Sequence, residues 1–542
     1  MRTRRIVAQC VAVVASATML TAQTTGVGDV RFANSGASAA QAPFLAGLAQ
    51  LHNFEYDAAA TLFRRAQEID PGFAMAYWGE AMTYNHPVWM QQDRDAAQKA
   101  LARLGQTPEA RLAKAPTERE KDYLRAVDVL YGTGEKIARD IAYADAMAGL
   151  HRNNPADADA AAFHALAVLG TAHAGRDFAT YMRAAAVVEP VFREFPNHPG
   201  AAHYLIHSYD DPVHAPLGLR AARAYSKIAP AAPHAQHMTS HIFVALGMWD
   251  DVVAANEAAI GVVDRARKER GQPPSSCGHY NMWLAYGYLQ QGRRTDAKRL
   301  VGECYTSAGG TITGHHGDAA ALPLPPPATA QTTPPGPFAL MRSRYVIDTE
   351  DWKGDVAGWK APSPGLPAAQ ITTEFVNGLI AVRTNTLPGA REALSRLRAA
   401  RAALDAQFDK NATDQSPRTR AQILELQLGA LIQIAEGEKT TSIDRLREAA
   451  ALEDKMPFEF GPPFIDKPSH EVLGEALLAL GRAREARAAF EAALSRTPGR
   501  TTALLGLMRA ATAGGDQAKA AEARGQLRAI WSRADSMPAD VK

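Results

Sequence analysis

A spacing pattern that recurs near the two ends of the chain restricts the fold more than any other sequence feature. The C-terminal copy places small residues, an aromatic residue and a proline at fixed intervals: Gly481, Ala486, Phe490, Ala493 and Pro498. The N-terminal copy repeats that order behind an aromatic residue: Tyr56, Ala59, Phe63, Ala66 and Pro71. Alanines let two helices approach closely, the phenylalanine packs against the next unit, and the proline ends a helix because its ring clashes with a further turn. The pattern therefore predicts a repeated unit of closely packed helices at both ends of the chain.

The same residues resemble the signature of tetratricopeptide repeat proteins. Weaker copies retain the turn glycine and part of the packing set at Gly247, Gly292 and Gly515. Pro196 and Pro230 lie 34 residues apart, which is one repeat period. The resemblance implies an all-α, TPR-type α-solenoid of antiparallel helix pairs. It also implies a concave groove, lined by the first helix of each pair, that binds a protein or peptide partner.

The first 22 residues have the pattern of a secretory signal peptide. Arg2, Arg4 and Arg5 precede an apolar run at 11–20, and small residues follow around Ala22. The run is short for a membrane-spanning helix of about 20 residues, and no later segment is apolar enough to span. We expect cleavage near Ala22 and a mature secreted protein without a transmembrane segment, and the alternative is an uncleaved anchor. The short, arginine-led signal favours a bacterial periplasm.

Length and charge limit the remaining possibilities. A chain of 542 residues exceeds what one hydrophobic core normally uses. Proline and glycine interrupt the helical pattern, which predicts a solenoid at 43–305, a linker at 306–337 and a second solenoid at 338–533. With 59 basic and 57 acidic side chains, the net charge of +2 lacks the basic surface of nucleic-acid binders, so no nucleic-acid partner is expected.

Histidines carry the most specific chemistry. His203 and His207 form one H-x-x-x-H pair, and His237 and His241 form a second pair 34 residues later. Each pair lies one helical turn apart, so both imidazoles share a helix face and can bind one metal ion. The 34-residue offset gives the pairs equivalent positions in consecutive repeats. We therefore expect four imidazoles to converge.

His234 and His279 are further candidate ligands of this cluster. By the resemblance, the histidine positions face the concave groove, where peptide-binding members usually carry Asn, Lys or Arg. Neutral imidazoles in an oxidising compartment suit zinc or copper. Asp210 and Asp211 either orient an imidazole or simply end a helix. The alternatives to a metal site are a structural polar network and a metal-free groove that recognises an anion or peptide.

Other candidate groove residues carry weaker signals. Trp78 and His86 are expected on one helix, either at an aromatic end of the groove or in a packed seam. Repeat counting places Arg344, Glu471 and Glu475 on groove faces. The segment 458–468, rich in proline and phenylalanine, cannot be helical and is expected to fold over the solenoid.

Two cysteines follow the signal peptide. Cys277 and Cys304 are expected near each other in one hairpin, where they either form a disulfide or leave Cys304 as a small packing residue. No hydrolase, nucleotide-binding or H-E-x-x-H motif is present, so no catalytic residue is assigned. The sequence favours a binding or scaffold protein with a histidine-lined metal site, and the alternative is a metal-dependent enzyme that uses those histidines.

Overall fold

The computed structural model describes residues 26–309, 335–360, 365–408 and 413–542. The signal peptide predicted at 1–22 and most of the linker predicted at 306–337 lie outside these ranges. The regular secondary structure of the described chain is helical except for one antiparallel pair of two-residue strands, β1 (Asn85–His86) and β2 (Gln91–Gln92), and two short 3-10 turns. The predicted all-α class is confirmed.

Fifteen helices precede residue 310: α1 (Ser38–His52), α2 (Tyr56–Ile69), α3 (Ala74–Met82), α4 (Arg94–Leu104), α5 (Pro108–Leu112), α6 (Glu118–Leu130), α7 (Lys136–Asn153), α8 (Ala158–Leu169), α9 (Phe178–Glu194), α10 (Pro199–Tyr209), α11 (Ala215–Ile228), α12 (Pro233–Ala245), α13 (Trp249–Glu269), α14 (His279–Gln290) and α15 (Arg294–Ser307). Ten follow: α16 (Pro335–Thr349), α17 (Asp355–Gly358), α18 (Pro367–Arg383), α19 (Leu387–Gln407), α20 (Ser416–Ala435), α21 (Lys439–Asp454), α22 (Ser469–Ala479), α23 (Ala483–Arg496), α24 (Thr501–Ala513) and α25 (Gln517–Ile530). Neighbouring helices along the chain pack as sequential antiparallel pairs, as in a tetratricopeptide solenoid.

The signature residues pack as the spacing predicts. The Phe490 ring fills the space between α22 and α24, because a Cβ added at Gly474 or Gly506 would lie 2.9 or 2.2 Å from it. Phe63 occupies the same place against Gly47 and Gly79. Glycine at these helix positions lets the aromatic ring seat directly on the neighbouring backbone.

A residue with positive φ closes the turn in both signature pairs: a glycine in the C-terminal one, and Phe54, with φ +58°, in the N-terminal one. Gly247 has φ +68°, and the amide of Met248 bonds to the carbonyl of Phe243 at 2.8 Å. Gly481 has φ +74° and the same backbone bond follows it, from Arg482 to Leu477 at 2.9 Å. This left-handed termination ends the first helix and reverses the chain into the second.

The helices on both sides of the undescribed residues 310–334 pack together. Tyr305 of α15 and Phe338 of α16 have ring centroids 5.0 Å apart, within one hydrophobic core that reaches from Ala161 to Val376. Both flanking helices extend into the predicted linker, since α15 ends at Ser307 and α16 begins at Pro335. Proline is compatible with the first turn of a helix, where its missing N–H has no intrahelical partner.

The C-terminal helices also contact the N-terminal ones. The guanidinium of Arg500, just before α24, bonds to Asp348 of α16 at 2.7 Å and to the Tyr286 hydroxyl of α14 at 3.1 Å. The Trp249 indole donates to the Gly499 carbonyl at 2.8 Å. These hydrogen bonds thus connect helices that are far apart in the sequence. None of the helices in the described ranges has both the length and the apolar character needed to cross a bilayer.

Candidate metal centre

Six histidines come together from the first helices of three successive helix pairs. Helix α10 carries His203 and His207, α12 carries His234, His237 and His241, and α14 begins at His279. They form a first triad of His203, His207 and His234 and a second triad of His237, His241 and His279. Within each triad the candidate ligand nitrogens lie within 4.8 Å of one another, so either triad could hold a metal ion.

In the first triad, ring nitrogens of the three histidines point toward one another. Nε2 of His203 lies 3.2 Å from Nε2 of His234, and the rings of His203 and His207 are 4.9 Å apart. Nδ1 of His203 donates to the carbonyl oxygen of His52 at 2.7 Å. A neutral His203 therefore has its proton on Nδ1 and a lone pair on Nε2. Nε2 of His207 is buried and has no hydrogen-bond partner in the described part of the chain.

The second triad is held by two polar acceptors behind its rings. Nδ1 of His237 donates to Oδ1 of Asn256 at 2.7 Å, and the Asn256 amide is oriented by its own bond to the Val252 carbonyl at 2.8 Å. Nδ1 of His241 donates to Asp210 at 2.5 Å. Nε2 of His237 lies 3.1 Å from Nε2 of His241 and 3.0 Å from Nε2 of His279. The Nε2 atoms of His237 and His241 therefore face each other as lone pairs when both rings are neutral.

Converging lone pairs repel one another unless a proton or a cation lies between them. Two imidazole nitrogens bound to one tetrahedral zinc ion at about 2.0–2.1 Å are about 3.3–3.4 Å apart. The observed separations of 3.0 to 3.2 Å are close to that value. A carboxylate, amide or carbonyl acceptor behind the ring is the usual partner of a metal-bound histidine, because it fixes the tautomer.

Burial favours the neutral, metal-binding form in several of the six imidazoles. Desolvation, reinforced by neighbouring imidazoles, lowers the pKa well below its usual value for four of them: His203, His207, His234 and His237. Unprotonated nitrogens therefore persist in acidic solution. The side chain of His279 reaches the surface.

A third group of potential ligands lies directly behind the first triad. His198 accepts the Ala201 amide at Nδ1, so its Nε2 carries the proton that points at Asp159, 3.3 Å away. His52 lies 2.8 Å from the same carboxylate through Nε2 and 2.9 Å from the Tyr204 hydroxyl through Nδ1. Burial lowers the pKa of His52 to about 4. Hydrogen bonds occupy these ring nitrogens, so we interpret the group as a structural network that supports the first triad.

Aromatic side chains enclose the two triads. Phe54 packs on His203 at 4.3 Å between ring centroids, with backbone φ +58°, an uncommon conformation for an aromatic residue. Trp283 stacks on His241 at 4.4 Å, and Phe460 stacks on the same ring at 5.4 Å. Phe460 belongs to the covering segment, residues 458–468, which has no helix and reaches the N-terminal helices from the C-terminal part of the chain. The histidine positions predicted to face an open groove are thus covered by the chain itself.

Trp78 and His86 differ from their predicted placement. Trp78 is 1% exposed and stacks against Phe32 at 5.7 Å, so it fills the core and does not line a groove. Helix α3 ends at Met82, which leaves His86 in β1 rather than on the same helix. His86 stacks on Tyr56 at 3.9 Å and borders a cavity of about 380 Å³.

The predicted groove residues of the C-terminal half are tied into ion pairs or packed against the chain. Glu471 is buried, where it accepts from the Arg500 guanidinium at 2.5 Å, so the expected groove-facing carboxylate is instead an internal ion pair. Glu475 pairs with Lys467 at 2.6 Å and with Arg383 at 2.8 Å. Arg344 donates to the Pro463 carbonyl at 3.3 Å, within the covering segment. Of the three, Glu475 borders a cavity of about 390 Å³.

Cys277 and Cys304 are joined by a disulfide with a Cα–Cα distance of 4.4 Å. The bond links the residues just before α14 to the end of α15. Because His279 is two residues beyond Cys277, the disulfide also restrains the backbone that presents His279 to the second triad.

Comparisons with known proteins agree with the repeat pattern. Residues 468–500, which span α22 and α23, match the family described as tetratricopeptide repeat. The chain contains a tetratricopeptide repeat. No curated protein sequence matches the chain.

Solved structures of helical repeat proteins align over most of the chain. Yeast Tom70 is 12% identical, covering 89% of this chain and 96% of its own, with a TM-score of 0.33. A human IFIT1 dimer with m7Gppp-AAAA is 12% identical, and the alignment covers 92% of this chain and 91% of the IFIT1 chain, with a TM-score of 0.34. A chain of the APC/C hetero-tetramer Cut9-Hcn1 is 10% identical, and the alignment covers 92% of this chain and 84% of that chain, with a TM-score of 0.32.

Proposed function

We propose that this tetratricopeptide repeat protein is a secreted or periplasmic binding protein that holds transition-metal ions, zinc or copper, in its histidine triads. The observation that carries the proposal is the convergence of Nε2 lone pairs in the second triad. His237 and His241 each donate Nδ1–H to an acceptor, so their Nε2 atoms face each other 3.1 Å apart with no hydrogen-bonding proton between neutral rings. A cation relieves that repulsion.

The ligand set favours zinc and copper over harder ions. All six candidate ligands are imidazole nitrogens, which suit zinc, copper, iron and nickel, whereas calcium and magnesium require oxygen. Met238, which follows His237 in sequence, is buried in the hydrophobic core with Ile242. Its thioether therefore packs in the core and is not counted among the candidate metal ligands. Nitrogen ligands alone do not distinguish zinc from copper, and the loading experiment therefore includes both.

The location outside the cytoplasm rests on two independent features. The sequence begins with a signal-peptide pattern, and the Cys277–Cys304 disulfide is the chemistry of an oxidising compartment. The intact mass of the protein recovered from a periplasmic extract tests the location. We expect the mass of a chain that begins at Gln23, and the full-length mass in the cytoplasmic fraction would contradict it.

A protein or peptide partner fits the cavity beside Glu475 better than the covered histidine site. This cavity of about 390 Å³ lies among α14, α16, α22 and α24, and charged side chains of both signs line it, including Arg383, Lys467 and Arg509. Mixed charge and balanced overall composition favour a peptide over nucleic acid. A partner recovered by cross-linking at this cavity supports the role, and loss of recovery in Arg509→Glu checks it.

Metal analysis of the purified mature chain tests the proposal. The apo protein is incubated with zinc or copper(I), freed of excess ion by gel filtration and measured by plasma mass spectrometry. We expect bound metal in the native chain and a clear loss in His237→Ala/His241→Ala. The matched control is His151→Ala/His164→Ala, which removes a second close histidine pair, 3.3 Å apart, away from the triads.

Metal that is absent from the native chain after loading would overturn the proposal. Equal metal content in the native chain and in His237→Ala/His241→Ala would assign the ion to other residues. Circular dichroism verifies that each variant keeps its helical content, so that a loss of metal reports on the ligands.

A metal-dependent enzyme is the second candidate, and the open coordination position favours it. Three histidines per ion leave a fourth position for water, as in catalytic zinc sites. Glu55 lies beside the first triad, where it accepts the His234 amide at 3.0 Å, and burial raises its pKa, as suits a general base. Hydrolysis of an activated ester by metal-loaded protein, lost in Glu55→Gln with metal retained, would support an enzyme. Equal rates for loaded and apo protein would oppose it.

A further inference from the structure

We infer that the two triads form one dinuclear centre, in which two ions of the same kind are each bound by three imidazoles and share a bridging hydroxide. The inference rests on the proposed metal binding and goes beyond it, because it sets the stoichiometry and the nature of the ligand between the ions. The geometry that carries it is the continuity of the six rings.

The distances between the triads are only slightly longer than those within them. Within the triads, neighbouring ring centroids are 4.6 to 5.0 Å apart. Across the boundary, His207 and His241 are 6.0 Å apart, and His234 and His237 are 6.2 Å apart. Because these distances differ by only 1.0 to 1.6 Å, the six imidazoles form a single cluster rather than two remote sites.

Helix α12 is shared by the two triads. His234 at its first turn belongs to the first triad, and His237, one turn further, belongs to the second. Because consecutive turns are about 5.4 Å apart along a helix, two ions bound to adjacent turns are held close together. Metal pairs in proteins are typically about 3.5–4 Å apart, a separation that one oxygen atom can bridge.

Charge and coordination both favour a bridging anion. Six neutral imidazoles compensate none of the charge of two divalent ions. The Asp210 carboxylate, which bonds to the His241 ring, supplies one negative charge at most. A water molecule between two cations loses a proton readily because both metals stabilise the hydroxide. The step is balanced: one bound water yields one bridging hydroxide and one proton released to solvent, without a change of oxidation state.

His279 provides the access that such a ligand needs. It is the exposed member of the cluster, whereas His203, His207, His237 and His241 are at most 2% exposed. The surface at His279 is therefore the route by which water and small anions reach the second ion. The first ion lies deeper, next to Phe54 and the His52 network.

Copper(II) tests the inference because bridged copper pairs lose their paramagnetic signal. The apo protein is loaded with copper(II), bound copper is counted by plasma mass spectrometry, and unpaired spins are counted by integrated electron paramagnetic resonance. We expect two copper ions per chain with a spin count far below two. The native chain alone suffices for this comparison, so the test does not depend on a variant that folds.

A variant of the exposed ligand adds a positive control. In His279→Ala we expect the second ion to be lost or weakened, so that about one copper remains and gives a full one-spin signal. His151→Ala, outside the cluster, should behave like the native chain. Two bound coppers with a full two-spin signal would overturn the dinuclear centre and leave metal binding intact, and a single copper in the native chain would do the same. A native chain that binds no copper and no zinc would overturn the proposed function itself.

Discussion

The hydrogen-bond acceptors behind the histidine rings determine what those rings can do. Asn256 and Asp210 receive the Nδ1 protons of His237 and His241, and the His52 carbonyl receives that of His203. Each acceptor fixes a tautomer that leaves Nε2 free to coordinate. The third group, around Asp159, shows the opposite arrangement, with the ring nitrogens occupied by hydrogen bonds. Ring orientation therefore separates candidate ligands from structural histidines.

Replacement of Asp210 tests this role. In Asp210→Asn the side chain keeps its shape but loses the charge that makes His241 a stronger ligand, so we expect metal affinity to fall about 10–100-fold. Competition with a chromophoric chelator measures the affinity. Asp211→Asn is the matched control, since Asp211 is equally buried but pairs with Arg176 at 3.1 Å instead of a triad ring. Equal affinities in the two variants would contradict the role of Asp210.

The sequence predicts the histidine pairs and offers Asp210 as a carboxylate that orients an imidazole, but it does not indicate the other partners or which ring Asp210 contacts. Spacing within one helix is fixed, so His203 with His207 and His237 with His241 follow from the sequence alone. The acceptors come from remote segments: His52 and His203 are 151 residues apart, and Asp210 follows His207 in sequence but bonds to His241. Such contacts depend on how the repeats stack, which has no local signal. The spacing also does not predict that the histidines divide into two triads, because that division depends on how the repeats stack.

The covering segment packs against the second triad through the Phe460 ring, which stacks on His241. Gly461 has φ +92°, and a Cβ added there would lie 2.2 Å from the Trp283 ring. Phe458 stacks on Phe178 of α9 at 5.7 Å, which anchors the start of the segment. The prolines and phenylalanines predicted a non-helical segment over the solenoid, whereas its exact contact with His241 required the three-dimensional fold.

Displacement of the covering segment should open the site. In Gly461→Ala we expect the added methyl group to push the segment away from Trp283, so that a chelator removes bound metal several-fold faster. Gly437→Ala is the matched control, because Gly437 has φ +100° but no heavy atom near the position of an added Cβ. The rate of metal transfer to the chelator is the readout. An unchanged rate in Gly461→Ala would show that the segment does not control access.

At the scale of the whole molecule, the chain is closed on itself by contacts between distant repeats. Arg500 joins Asp348 and Glu471, with side-chain exposures of 1 to 2% for all three. The repeat signature predicts helix pairs but not this closure, because each signature residue reports only on its immediate neighbours. Trp78 illustrates the consequence, since it lies in the core and not at the end of an open groove.

Buried neutral histidines should make the apo protein sensitive to acid. Burial lowers the pKa of His52 to about 4 and lowers that of four triad histidines well below the usual value. Between pH 6.5 and 4 the unfolded chain binds protons that the folded chain does not, so the free energy of unfolding falls as pH falls. Each such histidine contributes about 1.4 kcal/mol per pH unit. Urea unfolding with a chelator at pH 7.5, 6 and 5 measures the slope, and equal stability at these values would contradict the prediction.

X-ray absorption of the zinc-loaded native chain identifies the atoms around the ion, and so decides whether histidines bind it. We expect nitrogen neighbours at about 2.0–2.1 Å and the outer-shell scattering of about three imidazoles per zinc. A shell of oxygen or sulfur neighbours without imidazole scattering would contradict it.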